Sequence, residues 1–338
     1  MEINSKAAAE SLIPLFQFQR LLNQDQNGRR ISLLGSINEE PALISLERAA
    51  FPTDPGVIRT FLAGISNTTN LGSNDIYRWY MASHEPPKSV SGNADRSPPD
   101  LKINLIYPCT DAHIKKYSPQ CLRMVTETAE IYARYVQPYM RQKREEGRLN
   151  WVFNIIEGRT EQEDVILREH SSRTTGADGE GFLLLPDLNW DRETIGGLHL
   201  LALVERRDIW SLRDLKKRHV VWLKHMREKI LKAAVKIYGS KGVGEDMLKL
   251  YVHYQPTYFH FHIHVVNVML EAGATQATGK AFGLENIISQ LETMEGEEEA
   301  GMADVSLTYF LGEASELWET VFGPLKEGRH PTTTSPPP

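Results

Sequence analysis

Cysteine is almost absent from this chain: Cys109 and Cys121 are the only two in 338 residues. That is too few for a disulfide framework or a cysteine-rich zinc site, and it leaves a reducing compartment as the default. Positive charge is not in excess either. Against 44 acidic residues stand 38 Lys and Arg, a net charge of −6. A protein that coats long nucleic acid must neutralise many phosphates, so this balance speaks against one. It still allows a short phosphorylated ligand in a local basic pocket. No apolar run reaches the roughly 18 residues that a membrane span needs, so no membrane partner is expected. The opening MEINSKAAAESLIPLF has no basic stretch followed by a clean apolar one, and no signal peptide is expected.

What remains is the composition of a folded protein, with 41% hydrophobic and 24% charged residues. The length suggests two domains. ISLLGSI (31–37), ALISLERA (42–49), IYRWYMA (76–82) and KINLIYP (102–108) read as strands, with a hairpin loop at Asn38-Glu39-Glu40-Pro41. The stretch 86–100 is rich in Pro, Ser, Gly and Asn and reads as a mobile loop. From Ser118 to Gly147 the apolar spacing predicts a helix that Pro138 kinks or ends. WVFNIIEG (151–158), EDVILRE (163–169), GFLLLPDLNW (181–190) and LHLLALVER (198–206) read as strands. Ser211-Leu212-Arg213-Asp214 matches a helix capping pattern and precedes a helix ending near Gly239. MLKLYVHY (247–254) and TYFHFHIHVVNVML (257–270) follow as strands. Leu284, Ile287, Ile288 and Leu291 mark a last amphipathic helix. Glu297, Glu298 and Glu299 read as a solvated acidic loop, and PTTTSPPP (331–338) as a disordered tail. The expected fold is α+β. A smaller N-terminal α+β domain spans 1–115, a hinge 116–121, and an antiparallel sheet with helices 122–327, leaving a tail over 328–338.

The densest chemistry is His260-Phe261-His262-Ile263-His264-Val265-Val266, which holds three of the 11 histidines in five residues. Side chains alternate on a strand, so the three imidazoles share one face and Phe261, Ile263 and Val265 the other. Three readings stand open. A structural role would require a hydrogen-bond partner for each buried imidazole. A metal could be chelated by two adjacent histidines. All three could hardly converge, because same-face neighbours sit about 6.6 Å apart on a straight strand and zinc–nitrogen bonds are about 2.0–2.1 Å. No carboxylate lies nearby at ligand spacing. The third reading is nucleophilic catalysis, since a neutral imidazole attacks phosphorus well near neutral pH and its adduct hydrolyses readily.

The pattern His-φ-His-φ-His-φ-φ, where φ is apolar, is the signature of the histidine triad superfamily. Together with LYVHYQPTYFHFHIH, LLLPDLNWD, RRDIWSLRDL and SNDIY, it resembles the scavenger mRNA decapping enzymes of that superfamily from about Phe16 to Phe322. The resemblance implies a homodimer with a domain-swapped N-terminal domain and a C-terminal domain of the triad fold. The active site would lie in a cleft that closes on substrate. The implied reaction cleaves the triphosphate of 7-methylguanosine caps, on cap dinucleotides or short capped RNA in mRNA decay, with no metal or other cofactor. It releases 7-methylguanosine monophosphate and a nucleoside diphosphate. Cytoplasm is the default compartment, and the family also allows the nucleus.

The resemblance also implies residue roles. His262 is similar to the nucleophile, with His260 and His264 as flanking partners and His253 as a supporting histidine. Thr257 and Tyr258 match phosphate contacts from a Ser-Tyr pair, and Thr keeps the hydroxyl. Trp151 matches the tryptophan that stacks on the methylated base, as suits an indole facing a flat cation. Leu188 would close the other side of that sandwich. Glu161 would pair with the guanine edge, and Asp187 would sit near the ribose. Asn74 and Tyr77 would reach the ligand from the N-terminal domain, and Lys116 would bind phosphate near the hinge. Lys280 falls, after a one-residue shift, where the family has arginine. Two departures bear on the site: Asn189 stands where a lysine is expected, and His199 where a tyrosine is expected. A missing lysine removes a positive charge from a triphosphate site, which His199 could partly replace if protonated. A weakly active cap-binding regulator, or a hydrolase of other dinucleoside polyphosphates, remain as alternative readings.

Overall fold

The computed structural model describes residues 9–25, 29–74, 76–84, 99–146, 149–170, 179–187 and 190–331. Most of the expected mobile loop 86–100, and the tail beyond Pro331, lie outside these residues. The chain divides into two compact units between Pro119 and Gln120.

The first unit holds two antiparallel sheets. Strands β1 (Gln17–Gln24), β2 (Arg30–Ile37) and β3 (Glu40–Glu47) pair in sequence order. Asn38 and Glu39 both have positive φ, at 51° and 69°. They make the two-residue turn whose twist matches that of the flanking strands, so Glu40 and Pro41 belong to β3 rather than to the loop. Helix α1 (Pro55–Ala63) starts where the Asp54 carboxylate accepts from the amides of Gly56 and Val57 at 2.8 and 2.9 Å. Strands β4 (Ile65–Asn74), β5 (Tyr77–His84) and β6 (Leu101–Ile106) form the second sheet, followed by α2 (Asp111–Tyr117).

The second unit opens differently from the expected helix. Leu122–Glu127 is a strand, β7, paired with β14 (Leu307–Gly312). Its alternation of exposed Leu122 and Met124 with buried Val125 and Glu127 is that of a half-buried strand. Helical structure begins with α3 (Ala129–Ile131), widens into a π-turn over Tyr132–Val136, and continues as α4 (Gln137–Glu145). Pro138 therefore neither ends nor breaks it. A proline ring clashes with the carbonyl four residues back in a strict α-turn, and the wider π-turn makes room.

The expected strand at 151–158 is also a helix, α5 (Asn150–Ile156). Val152, Ile155 and Ile156 are spaced as one buried helical stripe, a pattern that a short apolar run does not distinguish from a strand. The expected strand at 163–169 shrinks to β8 (Leu167–Glu169) after a 3-10 turn. The Ser211–Asp214 capping box is present but closes only a 3-10 turn; the long helix α6 (Val220–Tyr238) starts later.

Six antiparallel strands organise the unit: β8, β9 (Phe182–Pro186), β10 (His199–Val204), β11 (Leu248–His253), β12 (His262–Asn267) and β13 (Ala281–Gly283), in spatial order β13-β11-β12-β10-β9-β8. Phe261, Ile263 and Val265 join Leu200, Ala202 and Val204 in the main core, which also holds Leu223, Met226 and Ile230 of α6. Helix α7 (Leu284–Thr293) adds Leu284, Ile287, Ile288 and Leu291 to it. On the opposite face, Val152, Ile155 and Ile156 of α5 pack on Leu183, Leu185 and Leu203. The rest of that face carries His199, His262 and His264. The last helix is α8 (Gly323–Lys326).

Candidate active site

The strand with the triad begins at His262, so His260 lies just outside it and the three imidazoles do not form one even row. All three are buried. His262 Nδ1 lies 2.7 Å from the carbonyl oxygen of His260. A carbonyl only accepts, so Nδ1 carries the proton and Nε2 keeps its lone pair. The ring of Tyr258 stacks on His262 at 4.4 Å, and Trp151 meets Tyr258 edge-on at 5.0 Å. His260 donates from Nε2 to Val204 O at 2.8 Å, which leaves its buried Nδ1 without a partner.

The other side of the cluster is built by pairing. Register sets Leu201 of β10 and Tyr251 of β11 against His264. His264 Nδ1 lies 2.9 Å from His199 Nε2, while His264 Nε2 is buried without a partner. Asp187, one residue past β9, places a carboxylate oxygen 3.6 Å from His199 Nε2. The rings of Tyr251 and His253 pack on His264 at 5.0 and 4.1 Å. His253 donates from Nε2 to Thr275 O at 2.8 Å.

Burial penalises charged imidazole, and here it dominates. It pushes His253, His260 and His262 down to about 4 and His264 further still. His199 is also lowered, with Asp187 opposing the shift. The cluster is neutral at pH 7, as a nucleophile requires and as charge compensation by a protonated His199 does not.

A buried polar network holds the segment that precedes the triad. Glu127 accepts from Arg213 Nε at 2.8 Å, Tyr254 Oη at 2.7 Å and Tyr309 Oη at 2.6 Å. Arg213 also donates to the carbonyls of Met302 and Val305, each at 2.6 Å. Gln255 reaches the same carboxylate at 3.4 Å, and its carbonyl accepts from Lys280 Nζ at 2.6 Å. Lys280 is thus tied to backbone, and burial lowers its pKa. A cleft of about 250 Å³ is lined by Lys143, Arg144, Trp151, Gln255, Thr257 and Tyr258.

The structure brings together Trp151, Tyr258, His260, His262, His264, His253, His199 and Asp187. Trp151, at the start of α5, keeps 45% of its surface exposed. Thr257 is exposed beside Tyr258. Glu161 is exposed at the head of a 3-10 turn with φ of 53°, a left-handed conformation uncommon for such a residue. Leu188 and Asn189 lie outside the described residues, as do the side chains of Asn74, Tyr77 and Lys116. The Asn74 and Tyr77 backbones are paired where β4 meets β5. Sequence reasoning missed the ring contacts of Tyr251 with His264 and of Phe153 with His260. It also missed the carboxylate: Asp187, His199 and His264 meet, with one donor atom from each within 4.8 Å of the others. Tyr251 was signalled by its position two residues before His253 on the same face; the Asp187 meeting had no local signal.

Two family models match the chain. Residues 11–120 match "Scavenger mRNA decapping enzyme (DcpS) N-terminal", and residues 150–279 match "Scavenger mRNA decapping enzyme C-term binding". The chain is a scavenger mRNA decapping enzyme family member. Curated relatives agree along nearly the whole length. The m7GpppX diphosphatase of Schizosaccharomyces pombe is 32% identical over 315 residues, 93% of this chain and 97% of its own. That of Ascaris suum is 34% identical over 278 residues, 82% of this chain and 85% of its own. That of Homo sapiens is 30% identical over 284 residues, 82% and 77%. The family's C-terminal model spans the cluster from Trp151 to His264, and Lys280 lies one residue past its end.

Proposed function

We propose that this chain is an m7GpppX diphosphatase that hydrolyses the triphosphate bridge of 7-methylguanosine caps, on cap dinucleotides and short capped RNA. Membership of the decapping family and relatives of that name support the overall reaction. The observation that carries the mechanism is the hydrogen bond from His262 Nδ1–H to the His260 carbonyl. It fixes the tautomer in which Nε2 is a free nucleophile. Nε2 attacks the phosphorus next to 7-methylguanosine, and the bond from that phosphorus to the bridging oxygen breaks. A nucleoside diphosphate leaves with the electron pair of that bond. Water then attacks the phosphohistidine, the phosphorus–nitrogen bond breaks, and 7-methylguanosine monophosphate departs while His262 is restored.

His264 has a matching role. Asp187 favours the proton on His199 Nε2, which then donates to His264 Nδ1. His264 Nε2 consequently carries a buried proton with no protein partner, suited to a phosphate oxygen or the leaving group. Trp151 would stack on the cationic base, with Glu161 on the guanine edge and Asp187 near the ribose. Leu188, Asn189, Asn74, Tyr77, Lys116, Thr257 and Lys280 remain ligand-contact proposals from the resemblance. The triad fold of the second unit and a domain-swapped homodimer belong to the same reading. Exposed Phe18, Leu21 and Leu46, which the register places on one face of the first sheet, support a partner there.

The test is product analysis. The chain is incubated with 7-methylguanosine triphosphoguanosine in excess EDTA, beside His262→Asn. Release of 7-methylguanosine monophosphate and guanosine diphosphate by the wild type alone is expected. Cleavage by both proteins would refute the nucleophile; tight cap binding with cleavage by neither would make the chain a cap-binding regulator.

A further inference from the structure

We propose that Asp187, His199 and His264 form a zinc site, and that zinc bound there shuts off hydrolysis; the second half rests on the proposed function. The donor set is two imidazoles and one carboxylate, which suits zinc over magnesium or calcium. Three protein ligands with one open position is a recurrent zinc arrangement.

Two of the three ligand spacings fit with small adjustment, and the third, from the Asp187 oxygen to His264, lies within 4.8 Å and has to close toward the tetrahedral spacing. Zinc–nitrogen bonds of about 2.0–2.1 Å put tetrahedral ligand atoms about 3.3–3.4 Å apart. His199 Nε2 lies 2.9 Å from His264 Nδ1 and 3.6 Å from the Asp187 oxygen, on either side of that value. One pair opens and the other closes by a few tenths of an ångström. In the absence of metal the two nitrogens share a proton. Zinc would take its place, with His199 shifting to the Nδ1–H tautomer and His264 keeping its proton on the unpartnered Nε2. One carboxylate leaves the zinc site with a net positive charge and an open position. That position would capture a cap phosphate away from His262 and occupy Asp187. Lys249 and Lys280 oppose the cation electrostatically, which favours an anion as the fourth ligand.

The test uses the full-length chain without an affinity tag. Zinc chloride is titrated against a colorimetric chelator, and cobalt chloride is used to read coordination by its visible spectrum. One zinc per chain and a tetrahedral cobalt spectrum are expected. His199→Phe and Asp187→Asn should each weaken zinc at least tenfold, with circular dichroism confirming that both fold. Replacing the exposed Cys109 and Cys121 together by Ser should leave zinc affinity unchanged. Hydrolysis in zinc is then compared, for each protein, with its own rate in EDTA. The wild-type ratio should fall at least tenfold over the concentration range of binding, and the His199→Phe ratio should stay near one. No zinc binding, or equal affinity in His199→Phe, would overturn the site. Stoichiometric binding with an unchanged wild-type rate would overturn the shut-off. Because binding is read without turnover, an inactive chain would still report on the site.

Discussion

Glu127 and Arg213 are both fully buried, and the charge of each is met by the other. Glu127→Gln keeps the shape of the side chain and removes its charge. Arg213 is then left as a buried cation whose remaining oxygen partners are neutral, and Tyr254 and Tyr309 lose a charged acceptor. Removing one partner of a buried pair costs about 3–5 kcal/mol. For a unit of this size, each kcal/mol shifts the melting temperature by about 2–4 °C, so a fall of about 6–20 °C is expected. Urea unfolding followed by tryptophan fluorescence, beside a thermal melt, measures it. Arg213→Met should be equally harmful, but the two changes together should cost less than their sum, because neither charge is then left alone. Below the melting transition, the Glu127→Gln enzyme should also bind cap more weakly, since Gln255 and the segment to Tyr258 lose an anchor. A fall under about 2 °C for Glu127→Gln, or strict additivity in the double variant, would refute the argument.

Trp151→Ala should cost less stability than loss of a core tryptophan, since the indole is 45% exposed. It should weaken a methylated cap by about 1–3 kcal/mol, or roughly 5- to 150-fold, as read by fluorescence titration; an unchanged affinity would remove Trp151 from the site. His219 lies far from the triad in sequence and is held down to about 4 chiefly by burial, with Arg206 and Arg218 adding to it. Its folded pKa is below its unfolded value of 6.5, so its contribution is present above pH 6.5 and lost as pH falls from there toward 4. Between pH 6.5 and 5 this amounts to about 1–2 kcal/mol. Urea midpoints for His219→Gln should therefore fall less on acidification than those of the wild type, and parallel curves would contradict this.

The central sheet was legible because β9 and β10 are short apolar runs, buried on both faces, and because the triad segment alternates. Phe261, Ile263 and Val265 announce a core face, and LHLLALV pairs with it. WVFNII was misread because five apolar residues in six fit either period, and only packing on Leu183, Leu185 and Leu203 decides for a helix. Leu122–Glu127 was misread because its partner strand lies far along the chain. Spacing along one strand argued that all three histidines could hardly converge on one ion. It could not show that Asp187 and His199 would be folded against His264, because that meeting depends on strand order. The list of ligand contacts came from resemblance, and pattern alone would have yielded only the triad.

The same strand order has a consequence for how the protein is made. The carboxylate of Glu127 is bound by Tyr309, 182 residues later in the chain, and β7 has no partner until β14 exists. A ribosome delivers residues from the N-terminus onward, so every histidine of the triad emerges before the strand that completes the lock beneath it. Contacts of such long range form late and slowly. The nascent chain therefore carries all its catalytic imidazoles while the Tyr254–Tyr258 segment is still unanchored. Competence should arrive only when translation has passed Gly312, which makes the completion of β14, and not the triad itself, the point at which an enzyme exists.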